Sequence, residues 1–261
     1  MPTSRRNVLQ WLAGGAAWIS GAAPALAGEK RIERLIHEAR GIATMSQRID
    51  FISAALRGTR YQSYTLIGGP RRPEQFVLRD DAFDCVTYCE TVLAAARAQD
   101  VGTFENALQE IRYRHGLVNW YERNHYFFEW CERNVENKTC HWLDMAGAVD
   151  ISKAVDSQKG LSKRRFAMRV IPRAVFLANA GKLATGDIVG FVSRRPDLDY
   201  FHCGLVVAEP KGPLLLRHAA ESRRRVLDER MDRFLARYGV RYVTLLRPEE
   251  PAATAAVKKA I

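Results

Sequence analysis

The order of helical and strand-like segments is the feature that most constrains the fold of this chain. Apolar positions recur at helical spacing in residues 29–57, 85–99 and 104–114. The last third instead contains short runs rich in branched and aromatic residues, which are typical of β-strands: 187–192, 202–208, 214–219 and 240–246. Helices followed by strands, without strict alternation of the two, favour an α+β fold with a mostly antiparallel sheet.

Other segments give weaker signals. Residues 58–82 combine Gly, Pro and Arg without periodicity, and we predict a loop there. Residues 150–165 are polar and basic, and we interpret them as an exposed loop. A further helix is predicted around residues 172–180. The composition, 47% hydrophobic and 26% charged, fits a folded globular protein and argues against disorder.

An apolar segment near the N-terminus has the features of an export signal. Arg5 and Arg6 precede an Ala- and Gly-rich run over residues 11–26, and residues 25–27 form a small-x-small cleavage pattern. The paired arginines resemble those of the twin-arginine export pathway. We therefore predict a periplasmic protein, with a short membrane anchor as the alternative.

The cleavage pattern divides the chain into three predicted parts. They are a twin-arginine-type signal peptide at 1–27, a single catalytic domain at 28–250 and a flexible tail at 251–261. After cleavage no stable membrane anchor is expected, since no other apolar run is long enough to span a bilayer.

The positive net charge of the chain indicates which kind of partner or substrate it favours. Forty Lys and Arg against 29 Asp and Glu give +11, and loss of Arg5 and Arg6 would lower this to +9. A basic protein favours anionic partners. Nucleic acid is not expected, because the chain carries an export signal and lacks a basic-aromatic nucleic-acid motif.

The cysteines raise the question of a working thiol. There are five: Cys85, Cys89, Cys131, Cys140 and Cys203. An odd number in an oxidising compartment leaves at least one thiol unpaired, and no C-x-x-C pair is present. Cys131 and Cys140 are nine residues apart and are a candidate disulfide.

Cys85 stands at a position that suits a nucleophile. Asp84 is a good N-cap, which places Cys85 in the first turn of an Ala-rich helix. The unpaired N–H groups and the dipole of that turn favour a thiolate and could hold an oxyanion. The alternative is that Cys85 is a small core residue, as we predict for Cys89 one turn further on.

Two histidines on neighbouring predicted strands are candidates for the base. If the turn at 209–213 pairs residues whose numbers sum to 422, His218 faces Gly204, and His202 lies on the same face as His218. One His could then activate the thiol while the other orients its ring. Two half-buried histidines bonded to backbone are the alternative. We expect no metal, because adjacent strand residues such as His202 and Cys203 point to opposite faces.

The motifs resemble those of a known group of enzymes. A Phe-Asp-Cys that opens a helix, a strand that begins His-x-Gly and a polar residue on the next strand resemble the NlpC-type papain-like cysteine hydrolases of bacterial cell walls. The resemblance is stronger to one branch, the N-acetylmuramoyl-L-alanine amidase-like family. The matching motifs lie at residues 83–90, 111–116, 123–130, 186–189, 198–204 and 218–219. Together with Tyr61, which follows Gly58-Thr-Arg, the resemblance extends over about 60–220.

This resemblance implies a fold and a set of site residues. It implies a papain-like NlpC-type fold in which the nucleophile lies at a helix N-terminus. The implied catalytic residues are Cys85 as nucleophile, His202 as base and then acid, and His218 as the orienting residue. The implied substrate-binding residues are Tyr61, Asp84, His125 and Tyr126. Two positions depart from the family pattern, Cys203 where Val is common and Ala220 where Ser is common.

The resemblance also implies an activity. The expected enzyme hydrolyses the amide between N-acetylmuramic acid and L-alanine in peptidoglycan fragments (muropeptides), with a preference for 1,6-anhydro-muropeptides and without a cofactor. The alternatives are a γ-D-glutamyl-diamino acid endopeptidase that acts on stem peptides and a non-catalytic wall-binding module.

Overall fold

The computed structural model describes residues 25–156, 158–209 and 212–251. It has the predicted α+β architecture, and its largest sheet is mostly antiparallel. Residues 1–24 of the predicted signal peptide and residues 252–261 of the predicted tail lie outside the described residues.

Seven α-helices occur in the described part of the chain. They are α1 Ala25–Ala39, α2 Met45–Ala55, α3 Cys85–Arg97, α4 Val101–Arg112, α5 Phe127–Glu136, α6 Arg173–Ala178 and α7 Met231–Arg237. None of these helices is long and apolar enough to cross a membrane.

The same part of the chain contains twelve strands. They are β1 Arg60–Tyr61, β2 Ile67–Gly69, β3 Arg72–Gln75, β4 Ala82–Phe83, β5 Cys140–Trp142, β6 Val149–Val155, β7 Arg164–Pro172, β8 Ile188–Val192, β9 Tyr200–Val207, β10 Leu215–Ala220, β11 Arg225–Arg230 and β12 Tyr242–Pro248. Ten of them form one sheet in the order β4-β1-β11-β10-β9-β8-β12-β7-β6, with β5 also paired to β12, while β2 and β3 form a separate hairpin.

The hairpin of β9 and β10 has the register that the sequence predicts. Leu215 pairs with Val207 and Arg217 pairs with Leu205, so paired residue numbers sum to 422. The prediction succeeds because the Pro- and Gly-containing turn fixes where the chain reverses, and a hairpin then has only one register without a bulge.

Two loop predictions were wrong. Residues 150–165 contain most of β6 and the start of β7, and these strands pair without a bulge over 149–155 and 164–170. In β7 the alternate residues Phe166, Met168 and Val170 are buried, while basic residues occupy the solvent face. Those basic residues hid the period of two that marks a half-buried strand. Residues 58–82 contain β1, β2, β3 and the start of β4.

Apolar side chains cover both faces of the large sheet. One cluster joins helices α1 to α5 to the sheet, and a second packs α6 and α7 against strands β8 to β10 and β12. Helix α3 is buried almost all round, and Ala94, Ala95 and Ala96 are each no more than 1% exposed. Their small side chains let α3 pack closely between α2, α4 and the sheet.

A buried ion pair connects α3 to α4. Glu90 accepts a hydrogen bond of 2.7 Å from Arg112 Nε, and both side chains are 3% exposed. Arg112 also donates to the carbonyl of Val77, at 2.8 Å. A buried charge that loses its partner is strongly destabilising, so each member of this pair depends on the other.

We therefore predict that Glu90→Gln lowers the free energy of unfolding by about 3–5 kcal/mol, because the Arg112 charge stays buried without a counter-charge. Urea denaturation followed by circular dichroism measures this. The matched control is Glu38→Gln, which breaks the exposed Arg34–Glu38 pair and should cost less than about 1 kcal/mol. Equal effects of the two substitutions would contradict the prediction.

Candidate active site

The start of α3 is fixed by a capping box. Asp84 accepts a hydrogen bond of 2.8 Å from the N–H of Thr87, and the Thr87 hydroxyl accepts one of 3.0 Å from the N–H of Asp84. Cys85 is therefore the first residue of the helix, as predicted. At this position the backbone N–H groups are free of intrahelical acceptors and carry the positive end of the dipole.

The environment of Cys85 favours its thiolate. The pKa of Cys85 lies well below its ordinary value because Cys203 donates a hydrogen bond to the sulfur and because the charge and ring N–H of His202 lie beside it. Burial acts in the opposite direction and is outweighed. A lowered pKa in a half-buried thiol is the condition for a nucleophilic cysteine. Cys89 is fully buried in the core, as expected.

His202 and His218 are in direct contact. His202 Nε2 lies 2.6 Å from His218 Nδ1, and the two rings are nearly perpendicular, with their centroids 4.8 Å apart. Phe234 packs against both rings, at 5.5 Å from each. The two side chains lie on one face of the hairpin, as the register predicts. His202 therefore has one ring nitrogen engaged by His218 and the other available to the thiol.

The two histidines differ in their surroundings. His218 is 2% exposed. Burial, the nearby positive charge of His202 and that of Arg237 lower the pKa of His218 to about 3. His218 is thus a neutral ring at physiological pH, which suits an orienting residue better than a base.

Gly204 explains the His-x-Gly spacing. A Cβ added at Gly204 would lie 2.9 Å from the Cβ of His218 and 2.8 Å from Leu216 Cδ1. Any side chain there would push His218 away from His202. Glycine at this position is required for close approach of the strands, not for an unusual backbone angle.

Tyr61 and Asp84 flank Cys85. Strand β1 pairs with β4 so that Tyr61 lies beside Phe83, two residues before Cys85. Burial raises the pKa of Tyr61, and the negative charges of Cys85, Glu221 and Asp84 raise it further. Burial, followed by the charge of Cys85, raises the pKa of Asp84 to about 6.

His125 and Tyr126 lie in a different environment. His125 is half-buried, and its Nε2 lies 2.7 Å from the carbonyl of Trp120. Burial lowers the pKa of His125 to about 4. Tyr126 is 1% exposed, and its ring packs against Phe166, with 5.6 Å between centroids. In this conformation Tyr126 belongs to the core beneath the surface, whereas His125 retains some exposure.

Sequence reasoning missed two neighbours of the site. The sequence indicates no contact between Cys203 and Cys85, yet the Cys203 thiol hydrogen-bonds to Cys85 and Cys89. Burial, together with these bonds, raises the pKa of Cys203, so it stays a protonated donor. Glu221 follows β10 and lies near Tyr61. Its position depends on the pairing of β1 with β11, which no local pattern indicates.

The remaining cysteines are free thiols. Cys131 and Cys140, the candidate disulfide, are both unbridged and buried in the structure. Burial raises the pKa of each, which suppresses its reactivity. Across the described residues, no three His, Cys, Asp or Glu side chains form a group that could hold a metal ion.

The site therefore contains a cysteine with a lowered pKa, an imidazole beside it and a second imidazole in contact with the first. A family model of N-acetylmuramoyl-L-alanine amidase-like proteins matches residues 51–239, which is more than half of the chain. The chain belongs to the N-acetylmuramoyl-L-alanine amidase-like family. Cys85, His202, His218 and Tyr61 all lie in the matched region. No curated protein matches the chain at a significant level.

Solved structures support the same fold for this amidase-like chain. A Legionella pneumophila protein of the DUF1460 family aligns with a TM-score of 0.74 and 21% identity, covering 86% of this chain and 96% of its own. A Bacteroides uniformis N-acetylmuramoyl-L-alanine amidase aligns with a TM-score of 0.69 and 21% identity, covering 80% and 100%. A Bacteroides fragilis protein described as a putative xylanase aligns with a TM-score of 0.61 and 21% identity, covering 75% of this chain and 98% of its own.

We predict that iodoacetamide at pH 7 alkylates Cys85 in the native protein about tenfold faster than it alkylates Cys131, Cys140 or Cys203. Among these four thiols the pKa is lowered at Cys85 and raised at the other three. Mass spectrometry of tryptic peptides over time measures the rates. His202→Gln should move the midpoint of Cys85 alkylation to higher pH. Similar rates at all four thiols would contradict the assignment of Cys85.

Proposed function

We propose that this chain is a periplasmic cysteine amidase that hydrolyses the amide between the lactyl group of N-acetylmuramic acid and L-alanine in peptidoglycan fragments. The observation that carries the proposal is the Cys85 thiol at the first turn of α3 beside His202, in a chain of the amidase-like family. The fold class we infer is the NlpC-type papain-like one, since the nucleophile begins a helix and the two histidines lie on adjacent antiparallel strands.

In the first step the Cys85 thiolate attacks the lactyl carbonyl carbon. His202, which holds the proton taken from the thiol, gives it to the nitrogen of L-alanine as the C–N bond breaks. The peptide leaves with a free amino group, and the lactyl carbonyl remains bonded to sulfur as a thioester.

The developing oxyanion needs donors that are already in place. The backbone N–H of Cys85 supplies one, because the first turn of α3 leaves it without an intrahelical acceptor. The Tyr61 hydroxyl is suited to be a second. Its raised pKa keeps it protonated, and it lies close enough to feel the Cys85 charge.

In the second step water replaces the peptide. His202 takes a proton from the water, which attacks the thioester carbonyl, and the thiolate is released with the muramic carboxylate as product. His218 keeps the His202 ring in one orientation through both steps, by the contact of 2.6 Å between their ring nitrogens.

The substrate we favour is a small anhydro-muropeptide from wall turnover. Stem peptides carry carboxylates, and the proposed mature chain, without Arg5 and Arg6, has a net charge of +9, which favours an anionic ligand. The preference for the anhydro sugar is an extension of the family resemblance to this chain.

Mass spectrometry of the products formed from 1,6-anhydro-muramyl tripeptide tests the activity. We expect free anhydro-muramic sugar and intact tripeptide from the wild-type protein, and a loss of rate by about 10³-fold or more in Cys85→Ala. Cys140→Ala, which removes a buried thiol outside the site, is the matched control and should retain activity.

Other products would separate the alternatives. Release of L-Ala-D-Glu attached to the sugar would show a γ-D-glutamyl endopeptidase instead. Binding of the fragment without cleavage, unchanged by Cys85→Ala, would favour a wall-binding module.

We also propose export through the twin-arginine pathway, on the strength of Arg5 and Arg6 before the apolar run and of the cleavage pattern at 25–27. The expected mature protein begins at Gly28. N-terminal sequencing of the protein recovered from a periplasmic extract measures this, and an intact Met1 in that fraction would contradict it.

A further inference from the structure

The second ring nitrogen of His218 faces a carboxylate that the proposed mechanism does not use. His218 Nε2 lies 3.0 Å from Glu229 Oε1, and the two side chains are 3% and 16% exposed. This contact does not meet hydrogen-bond geometry, and within the described residues His218 Nε2 is a buried nitrogen without a hydrogen-bond partner. Glu229 is therefore the acceptor nearest to a buried imidazole nitrogen that needs one.

The sheet and α7 hold Glu229 in this place. In the pairing of β10 with β11, Glu229 is opposite Leu216, two residues before His218, so Glu229 and His218 share one face. Arg237 of α7 donates to the second oxygen of Glu229, at 2.9 Å. Glu229 thus stands between a guanidinium and the imidazole.

The contact between the two histidines leaves two arrangements of protons. Either His202 Nε2–H donates to a bare Nδ1 of His218, or His218 Nδ1–H donates to a bare Nε2 of His202. A neutral His218 carries one proton. In the first arrangement that proton is on Nε2 and points toward Glu229, whereas in the second a bare Nε2 lone pair faces the carboxylate.

Only the first arrangement suits the chemistry. It leaves Nδ1 of a neutral His202 bare and able to take the proton of the Cys85 thiol. In the second, a neutral His202 carries its proton on Nδ1 and cannot accept another there. The charge of Glu229 favours the first arrangement because it attracts the Nε2 proton of His218 and repels a lone pair.

We propose that Glu229 is a positioning residue that holds His218 as the Nε2–H tautomer, and through it makes His202 the base of Cys85. This inference rests on the proposed cysteine mechanism. It adds to Cys85, His202 and His218 a fourth member that acts through its contact with His218. The charged groups facing His218 are His202 from β9, Glu229 from β11 and Arg237 from α7.

Two measurements on the full chain test the proposal without a muropeptide. The first is ¹⁵N NMR of protein labelled at histidine, in which the shifts of Nδ1 and Nε2 report which nitrogen carries the proton. The second is the rate of Cys85 alkylation by iodoacetamide as a function of pH, which reports the thiolate.

In the wild-type protein we expect the Nε2–H form of His218. In Glu229→Leu we expect the Nδ1–H form to appear. We also expect Cys85 alkylation at pH 6 to fall about tenfold, by analogy with the loss found when the group that orients a metal-binding histidine is removed. Arg237→Leu is the matched control. It removes the other half of the ion pair but leaves the carboxylate, so the Nε2–H tautomer should persist.

Circular dichroism and thermal melting separate a positioning role from a structural one. The proposal would be overturned if Glu229→Leu lowered the melting temperature but left the His218 tautomer unchanged and the Cys85 alkylation rate within twofold of wild type. It would also be overturned if Arg237→Leu changed the tautomer to the same extent. If Glu229→Leu does not fold, Glu229→Asp, which withdraws the carboxylate by one methylene, should lower the Cys85 rate by a smaller factor, and an unchanged rate would overturn the proposal.

A protein that cleaves no muropeptide can still give these results, so failure of the proposed substrate is distinguishable from failure of this inference. If the proposed amidase activity were not found, the effect of Glu229→Leu on the Cys85 alkylation rate could still be measured. Conversely, an active amidase with an unchanged Cys85 rate in Glu229→Leu would retain the proposed function and remove Glu229 from it.

Discussion

The capping box at the start of α3 is the interaction on which the rest of the site depends. Asp84 bonds the N–H of Thr87 at 2.8 Å and so fixes the residue at which the helix begins. If the helix began one residue later, Cys85 would be its N-cap with an extended backbone, and the thiol would lose the position that the first helical turn gives it. Helix α3 is buried along its length, and its small Ala side chains pack closely against the neighbouring elements. Its start therefore cannot shift without disturbing the core. The position of the thiol is therefore set by packing as well as by the cap.

The parts of the site that could be predicted are those with local causes. Asp84 as N-cap and Cys85 as first helical residue follow from residues adjacent in the chain. The meeting of His202 and His218 follows from one tight hairpin, whose register is fixed by the position of its turn. Both inferences needed only a cap rule and the alternation of a strand. The family motifs then placed the thiol beside the imidazoles, which neither local rule could do.

The parts that escaped prediction depend on order within the sheet. Strand β11 reads as a charged segment, and nothing in its sequence indicates that it pairs with β10 and β1. That pairing brings Glu229 to His218 and places Glu221 near Tyr61. Strands β6 and β7 were hidden in a similar way, since basic residues on the solvent face masked buried alternate positions. Long-range pairing of polar strands is hard to predict from a single sequence, because only the buried face of such a strand requires apolar residues.

Buried titratable groups in the site lie next to a network of charged side chains that hydrogen-bond to one another. Burial opposes the charged forms of Asp84, His218 and Cys203. The frame on either side is held by fully bonded charges instead. Arg217 bonds both oxygens of Asp228 and also reaches Asp50 and Ser53 of α2, tying the strands that carry His218 and Glu229 to a helix. A saturated network of this kind holds its members in one arrangement. The strand that carries His218 is thereby fixed by bonds outside the candidate site, while His218 Nε2 itself stays without a hydrogen bond in the described part of the chain.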